Sequence, residues 1–185
     1  VNLNVDLKID ERYVADTNQR LMIYRRVASV RSEKELSVLL DELGDRYGPI
    51  PSSVATLIEY GRIRLLADEL GVETIDRNDQ LLVVKLGATT PVDPMELVRF
   101  VERRQDVLLK PPGVLYVNIR EDREAQRSTE NQSWWTTRAR SGGVEAGFSR
   151  TEFQRATRNR SGVAALLDQV GSLLVELSRL GAIES

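Results

Sequence analysis

The sequence contains no cysteine and no histidine. Without cysteine there are no disulfides, no thiolate chemistry and no cysteine zinc sites. Without histidine the Ser-His-Asp triad, the Cys-His pair and most zinc sites are excluded as well. No stretch approaches the roughly 18 consecutive apolar residues of a membrane-spanning helix. No basic segment followed by an apolar core marks a signal peptide, so a soluble, cytoplasmic protein is expected. There is no GxxxxGK[ST] phosphate loop, no GxGxxG after a strand and no EF-hand loop. Acid pairs such as Asp41-Glu42 and Glu121-Asp122 fall where a solvated face or loop places them. No catalytic residue, cofactor site or metal site is indicated. Val1 stands where an initiating methionine is expected, as in a segment of a longer chain.

What remains is ordinary for a globular protein: 185 residues, 41% hydrophobic and 29% charged. That length supports one domain with a sizeable core, here read as spanning residues 1–185. The net charge of −2 gives no global attraction to nucleic acid. The distribution is less even. Arginine supplies 22 of the 26 cationic residues, and six arginines fall between Arg138 and Arg160 against only Glu145 and Glu152.

Val1 to Leu7 alternates apolar and polar residues, which predicts a half-buried or edge strand. A first helix is predicted from a cap at Asp16 or Thr17 to about Val30. It carries one stripe of Leu21, Tyr24 and Ala28 and another of Ile23, Val27 and Val30, so it is expected between two neighbours. Ser32 and Glu35 form a capping box for a second helix, with Leu36, Leu39, Leu40 and Leu43 as its buried face and Gly48-Pro49 as its stop. A third helix opens at Pro51-Ser52-Ser53, with Val54, Leu57, Ile58, Gly61 and Leu65 on one face. Beyond Gly71 the period changes to two. Strands are predicted at Val72–Ile75 and Leu81–Leu86 around a turn at Asp76–Asp79, then at Val107–Leu109 and Val114–Ile119 around Lys110–Gly113. Between the pairs, Asp93 caps a helix with Met95, Leu97, Val98 and Val101 on its apolar side. Glu121–Gly162 lacks Leu, Ile and Met and reads as a polar insertion, mobile when nothing binds it. Val163, Leu166, Leu167, Val170, Leu174 and Leu177 mark a terminal helix from near Ser161 to near Gly181. The expected class is α+β: N-terminal helices packed with a small antiparallel or mixed sheet of order β-β-α-β-β, and a C-terminal helix.

Three stretches carry a resemblance. RYVADTNQRLMIYRRVAS, ELSVLLDELGDRYGPIP and LADELGV resemble the first three helices of the C-terminal domain of bacterial transcription-repair coupling factors (TRCF). Glu42 to Pro51 fits that family's E-L-x-D-R-aromatic-G-x-x-P signature. The later hairpins and terminal helix match in order and length, and Glu121–Gly162 has no counterpart. The resemblance implies a regulatory, non-enzymatic domain of an ATP-dependent DNA translocase that displaces stalled RNA polymerase. ATP and Mg belong to upstream domains of the parent. The implied role is to mask the N-terminal module that recruits UvrA.

With the leucine face of the second helix buried, Val38, Asp41, Glu42 and Asp45 point the other way. In the light of the resemblance they form a small acidic docking patch, complementary to a basic partner. Ordinary solvation of an exposed helix face explains the same acids. Arg46 either joins that surface or serves the helix dipole and end carbonyls. Tyr47, Gly48 and Pro49 read as packing and turn residues. The alternative function is nucleic-acid binding through the Arg/Trp-rich segment 134–160, with Arg138, Arg140, Arg150, Arg155, Arg158 and Arg160 near Trp134, Trp135 and Phe148.

The missing phosphate loop carries a direct expectation. The purified chain shows no DNA-stimulated ATP turnover above a mock preparation in a phosphate-release assay.

Overall fold

Local chemistry sets most element ends in the computed structural model, which describes residues 1–119 and 162–181. The elements are α1 (Thr17–Ser29), α2 (Glu33–Tyr47), α3 (Ser52–Glu69), β1 (Val72–Asn78), β2 (Leu81–Leu86), α4 (Pro94–Glu102), β3 (Val107–Lys110), β4 (Val114–Asn118) and α5 (Gly162–Leu180). Asp16 caps α1 by accepting from the Gln19 N–H at 2.8 Å. Ser32 caps α2 by accepting from the Glu35 N–H at 3.3 Å, while the Glu35 carboxylate reaches back to the Arg31 N–H at 3.1 Å. Asp93 caps α4 through the N–H groups of Met95 and Glu96. Gly48 ends α2 at a φ of 86°, a conformation that costs a side chain strain. The expectation for Glu121–Gly162 lies outside the described residues, except that Gly162 begins α5.

The chain divides into two compact units, with boundaries among the described residues after Val5, inside α3 after Leu65 and inside α5 after Leu167. In the helical unit, Leu36, Leu39, Leu40 and Leu43 of α2 are buried with Ile23, Val27 and Val30 of the α1 end and Val54, Leu57 and Ile58 of α3. Each such leucine contributes about 2 kcal/mol of burial. Here α1 differs from expectation. Leu21 and Ala28 are exposed and Tyr24 is half-buried, so only the Ile23/Val27/Val30 stripe is covered. The Tyr24 hydroxyl accepts from the Ile9 N–H at 2.6 Å, which explains why an aromatic stands on that side. By contrast α3 is more enclosed than one stripe predicts. Ala55, Arg62 and Ile63 are buried beside the expected face. Arg62 is satisfied by Glu33 at 2.6 Å and Glu59 at 3.4 Å, and Arg64 donates to the Val30 carbonyl. The Tyr13 hydroxyl lies 2.9 Å from the Leu43 carbonyl and 3.1 Å from that of Gly48, tying the end of α2. Burial, with a smaller effect of Tyr47, pushes its pKa up to about 12.

The sheet unit holds four antiparallel strands in the order β1-β2-β4-β3. The fold is α+β. Ile75, Val84, Leu115 and Leu109 align across all four strands, and Leu82, Val117 and Val107 form the next row on the same face. The β1–β2 turn is tighter than expected, because β1 runs on to Asn78 and Asp79 takes a φ of 53°. The N-terminal strand is reduced to one parallel bridge, Asn2 to Asp76. Asn4, at a φ of 50°, turns the chain away from the extended path, although Leu3 stays buried. On α4 Leu97 is buried and Phe100 and Val101 are half-buried, whereas Met95 and Val98 are exposed, against expectation. The expected stripe of α5 is buried at Leu166, Leu167, Val170, Leu174 and Leu177. Its end is held by Asp93, whose N–H donates to the Leu180 carbonyl, and, one turn earlier, by Arg104 paired with Glu176 at 2.6 Å.

Gly61 is where α3 approaches its neighbours most closely. A Cβ there would meet Val27 Cγ1 at 3.0 Å and Leu36 Cδ1 at 3.3 Å. Gly61→Val is therefore expected to destabilise the chain by about 2 kcal/mol through overpacking, read as a lower denaturant midpoint at unchanged slope.

Candidate docking surface on the second helix

The inward commitment of its leucines gives α2 a defined outer face. At 100° per residue, Val38, Asp41, Glu42 and Asp45 fall away from Leu36, Leu39, Leu40 and Leu43. Val38 is 56% exposed. Asp45 and Arg46 are exposed, and Asp41 and Glu42 are half-buried. The side chains of Asp41 and Asp45 make no hydrogen bond or ion pair among the described residues. Arg46 lies in the last turn, where its charge suits the helix end, with its guanidinium 6.0 Å from the Tyr47 ring centre. Tyr47 packs against Tyr13, ring centres 5.7 Å apart, and donates to Gln19 Oε1 at 2.5 Å.

Glu42 is different. Arg26 of α1 donates to both of its oxygens, Nη1 to Oε1 at 2.8 Å and Nη2 to Oε2 at 2.7 Å. Hydrogen bonding from Arg26 holds the Glu42 carboxyl below its ordinary pKa, opposed by partial burial and helped by the charges of Arg26 and Arg46. The same hydrogen bond raises the Arg26 pKa. The face is therefore not uniformly acidic: one of its three acids is compensated from the neighbouring helix. No spacing rule announces this pairing, since the two residues belong to different helices; the only sequence signal is an arginine lying off both apolar stripes of α1. Met22, one turn before Arg26, was equally illegible and is 57% exposed.

Of the five residues expected at the docking patch, Val38, Asp41, Glu42 and Asp45 share the outward side of α2, and Arg46 lies at its flank in the last turn. The Arg/Trp-rich segment behind the nucleic-acid alternative lies outside the described residues. Among the described residues, no cluster of acids is placed to hold a metal, and no helix is long and apolar enough to cross a membrane.

The family model for the TRCF domain matches residues 3–97, just over half of the 185 residues. This chain belongs to the TRCF domain family. The match takes in α1 to α3, the first hairpin and the start of α4, and so the whole candidate surface. The transcription-repair-coupling factor of Escherichia coli K12 is 30% identical over 104 residues, 56% of this chain and 9% of that protein. That of Rickettsia typhi is 28% identical over 137 residues, 74% of this chain and 12% of that protein. That of Mycobacterium bovis is 36% identical over 75 residues, 40% of this chain and 6% of that protein. The chain thus spans about a tenth of the length of the first two relatives. A crystal structure of the C-terminal domain of a transcription-repair coupling factor shares the fold, with a TM-score of 0.59 at 16% identity, covering 96% of this chain and 92% of that one.

The pair's effect on stability has a definite sign. Glu42 has a depressed pKa, so its contribution is present above the ordinary carboxylate pKa and is lost as pH falls through the folded value. Glu42→Gln is expected to cost about 0.5 kcal/mol at neutral pH, as for a half-exposed pair. The difference from wild type should vanish in strong acid, as followed by melting temperature against pH.

Proposed function

We propose that this chain is the regulatory, autoinhibitory C-terminal domain of a transcription-repair coupling factor, and that its α2 face covers the parent's N-terminal UvrA-recruiting module. The parent in this reading is a cytoplasmic, ATP-dependent DNA translocase that displaces stalled RNA polymerase. Its ATP and Mg chemistry and its contacts with DNA reside in domains outside this chain. The chain itself supplies a cover and no catalysis.

The observation that carries the reading is the state of Asp41 and Asp45. Both sit on α2, with Asp45 exposed, Asp41 half-buried, Val38 exposed between turns and no ion pair to either acid among the described residues. Asp45 lies within the E-L-x-D-R-aromatic-G-x-x-P signature and Asp41 immediately precedes it. Unpaired acids around an apolar side chain suit a basic surface, and charge complementarity of this kind fixes register and excludes wrong partners. Glu42 and Arg46 border the same face.

The test uses Asp41→Ala with Asp45→Ala in the intact parent protein. Neither change removes an internal pair, so melting should stay within about 0.5 kcal/mol of wild type. Loss of interfacial charge contacts worth about 1.5 kcal/mol should loosen the cover and raise UvrA affinity without ATP roughly tenfold. UvrA recruitment unchanged from wild type, with normal melting, overturns the reading.

A further inference from the structure

Glu42 and Arg26 raise a question that stability alone does not answer. The pair is bidentate yet half-exposed, 43% at Arg26 and 41% at Glu42. Ion pairs so exposed add little to folding. The contact between α1 and α2 is already secured by buried Ile23, Val27, Leu39 and Leu43 and by the Tyr47–Gln19 hydrogen bond. What a two-pronged guanidinium does achieve is to fix the carboxylate in one orientation.

The surroundings give that orientation a use. Gln19 meets Tyr47 and Arg26 meets Glu42, so the two helices run antiparallel. Met22 lies one turn before Arg26 and Val38 one turn before Glu42, at 57% and 56% exposure. In an antiparallel pair these positions fall on opposite sides of the ion pair. The order along the helix pair is therefore methionine, ion pair, valine. A partner that covers both apolar side chains also takes Glu42 out of water. A carboxylate buried without compensation is costly. With Arg26 in place the compensation and the rotamer are both settled before docking.

We infer that Arg26 is a positioning residue for docking: from α1 it holds the Glu42 carboxylate oriented and compensated, so that one basic-rimmed partner surface covers Met22, the pair and Val38 together. The inference rests on the docking role proposed above for α2. It extends the surface onto a second helix and assigns a function to a cation on a face otherwise read as acidic. It also opposes the simplest electrostatic expectation, in which removing a positive charge strengthens binding to a basic partner.

The experiment measures the dissociation constant between this chain and the separately prepared N-terminal module of the same parent protein, with a melting curve for each variant. Arg26→Ala is expected to weaken docking roughly three- to tenfold, the effect of freeing one flexible side chain at an interface. Arg26→Lys, which keeps the charge and loses the fork, should recover part of it. The exchanged double variant, Arg26→Glu with Glu42→Arg, should restore melting towards wild type and leave docking weak. Docking by Arg26→Ala as tight as wild type, or tighter, overturns the inference; so does a double variant that regains both melting and docking. Asp41→Ala with Asp45→Ala separates the two claims. If those acids matter and Arg26 does not, only the positioning role falls. If neither matters, or wild type does not bind the module, the docking role falls and the inference with it.

Discussion

Between Val54 and Leu65, α3 is enclosed on most sides, and its two arginines there are drawn to the junction of α1 and α2, Arg62 to Glu33 and Arg64 to the Val30 carbonyl. Burying this helix dictates what its neighbours must do. The absence of a side chain at Gly61 lets Val27 and Leu36 close on it, and the four leucines of α2 are consumed in the same packing. With every leucine of α2 turned inward, the face from Val38 to Asp45 is the one left to point outward.

The family signature reads differently once its residues are placed. Leu43 is core, Tyr47 packs on Tyr13, and Gly48 adopts a backbone conformation that disfavours side chains. These members hold the end of α2 together, and the Tyr13 hydroxyl against Leu43 and Gly48 adds to that hold. Of the positions the signature specifies, only Asp45 and Arg46 are exposed, with Glu42 engaged sideways by α1. A motif that looks like one functional unit is a structural frame presenting a few outward groups.

Features governed by near neighbours in the chain were legible in the sequence. The caps at Asp16, Ser32 and Asp93 were legible because a short polar side chain reaches N–H groups only two or three residues on. The leucine face of α2 and the stripe of α5 were legible because helical periodicity is a local property. Where the outcome depends on what lies opposite, periodicity could not decide. Leu21 and Ala28 of α1 and Met95 and Val98 of α4 fit an apolar stripe, but nothing in their own helices shows that the stripe lacks a cover. The candidate surface divides in the same way. The outward face of α2 follows from its own sequence, whereas the partnership of Glu42 with Arg26 joins residues of two helices and needs the packed structure.

The single bridge at Asn2 has a consequence for how the sheet meets other molecules. An outer strand normally offers a row of free main-chain groups, which invites another chain to extend the sheet. Here the Asn2 N–H takes the Ile75 carbonyl at 2.7 Å, the Asn2 carbonyl takes the Arg77 N–H at 3.0 Å, and the Asn4 side-chain amide covers the Arg77 carbonyl at 3.3 Å. At the other margin, β3 offers only four residues before Pro111 and Pro112 end the run. An incoming strand would have to evict the first residues on one side and finds little length on the other. Growth by sheet extension is thus resisted at both margins, and a few polar contacts act as an insulator against self-assembly.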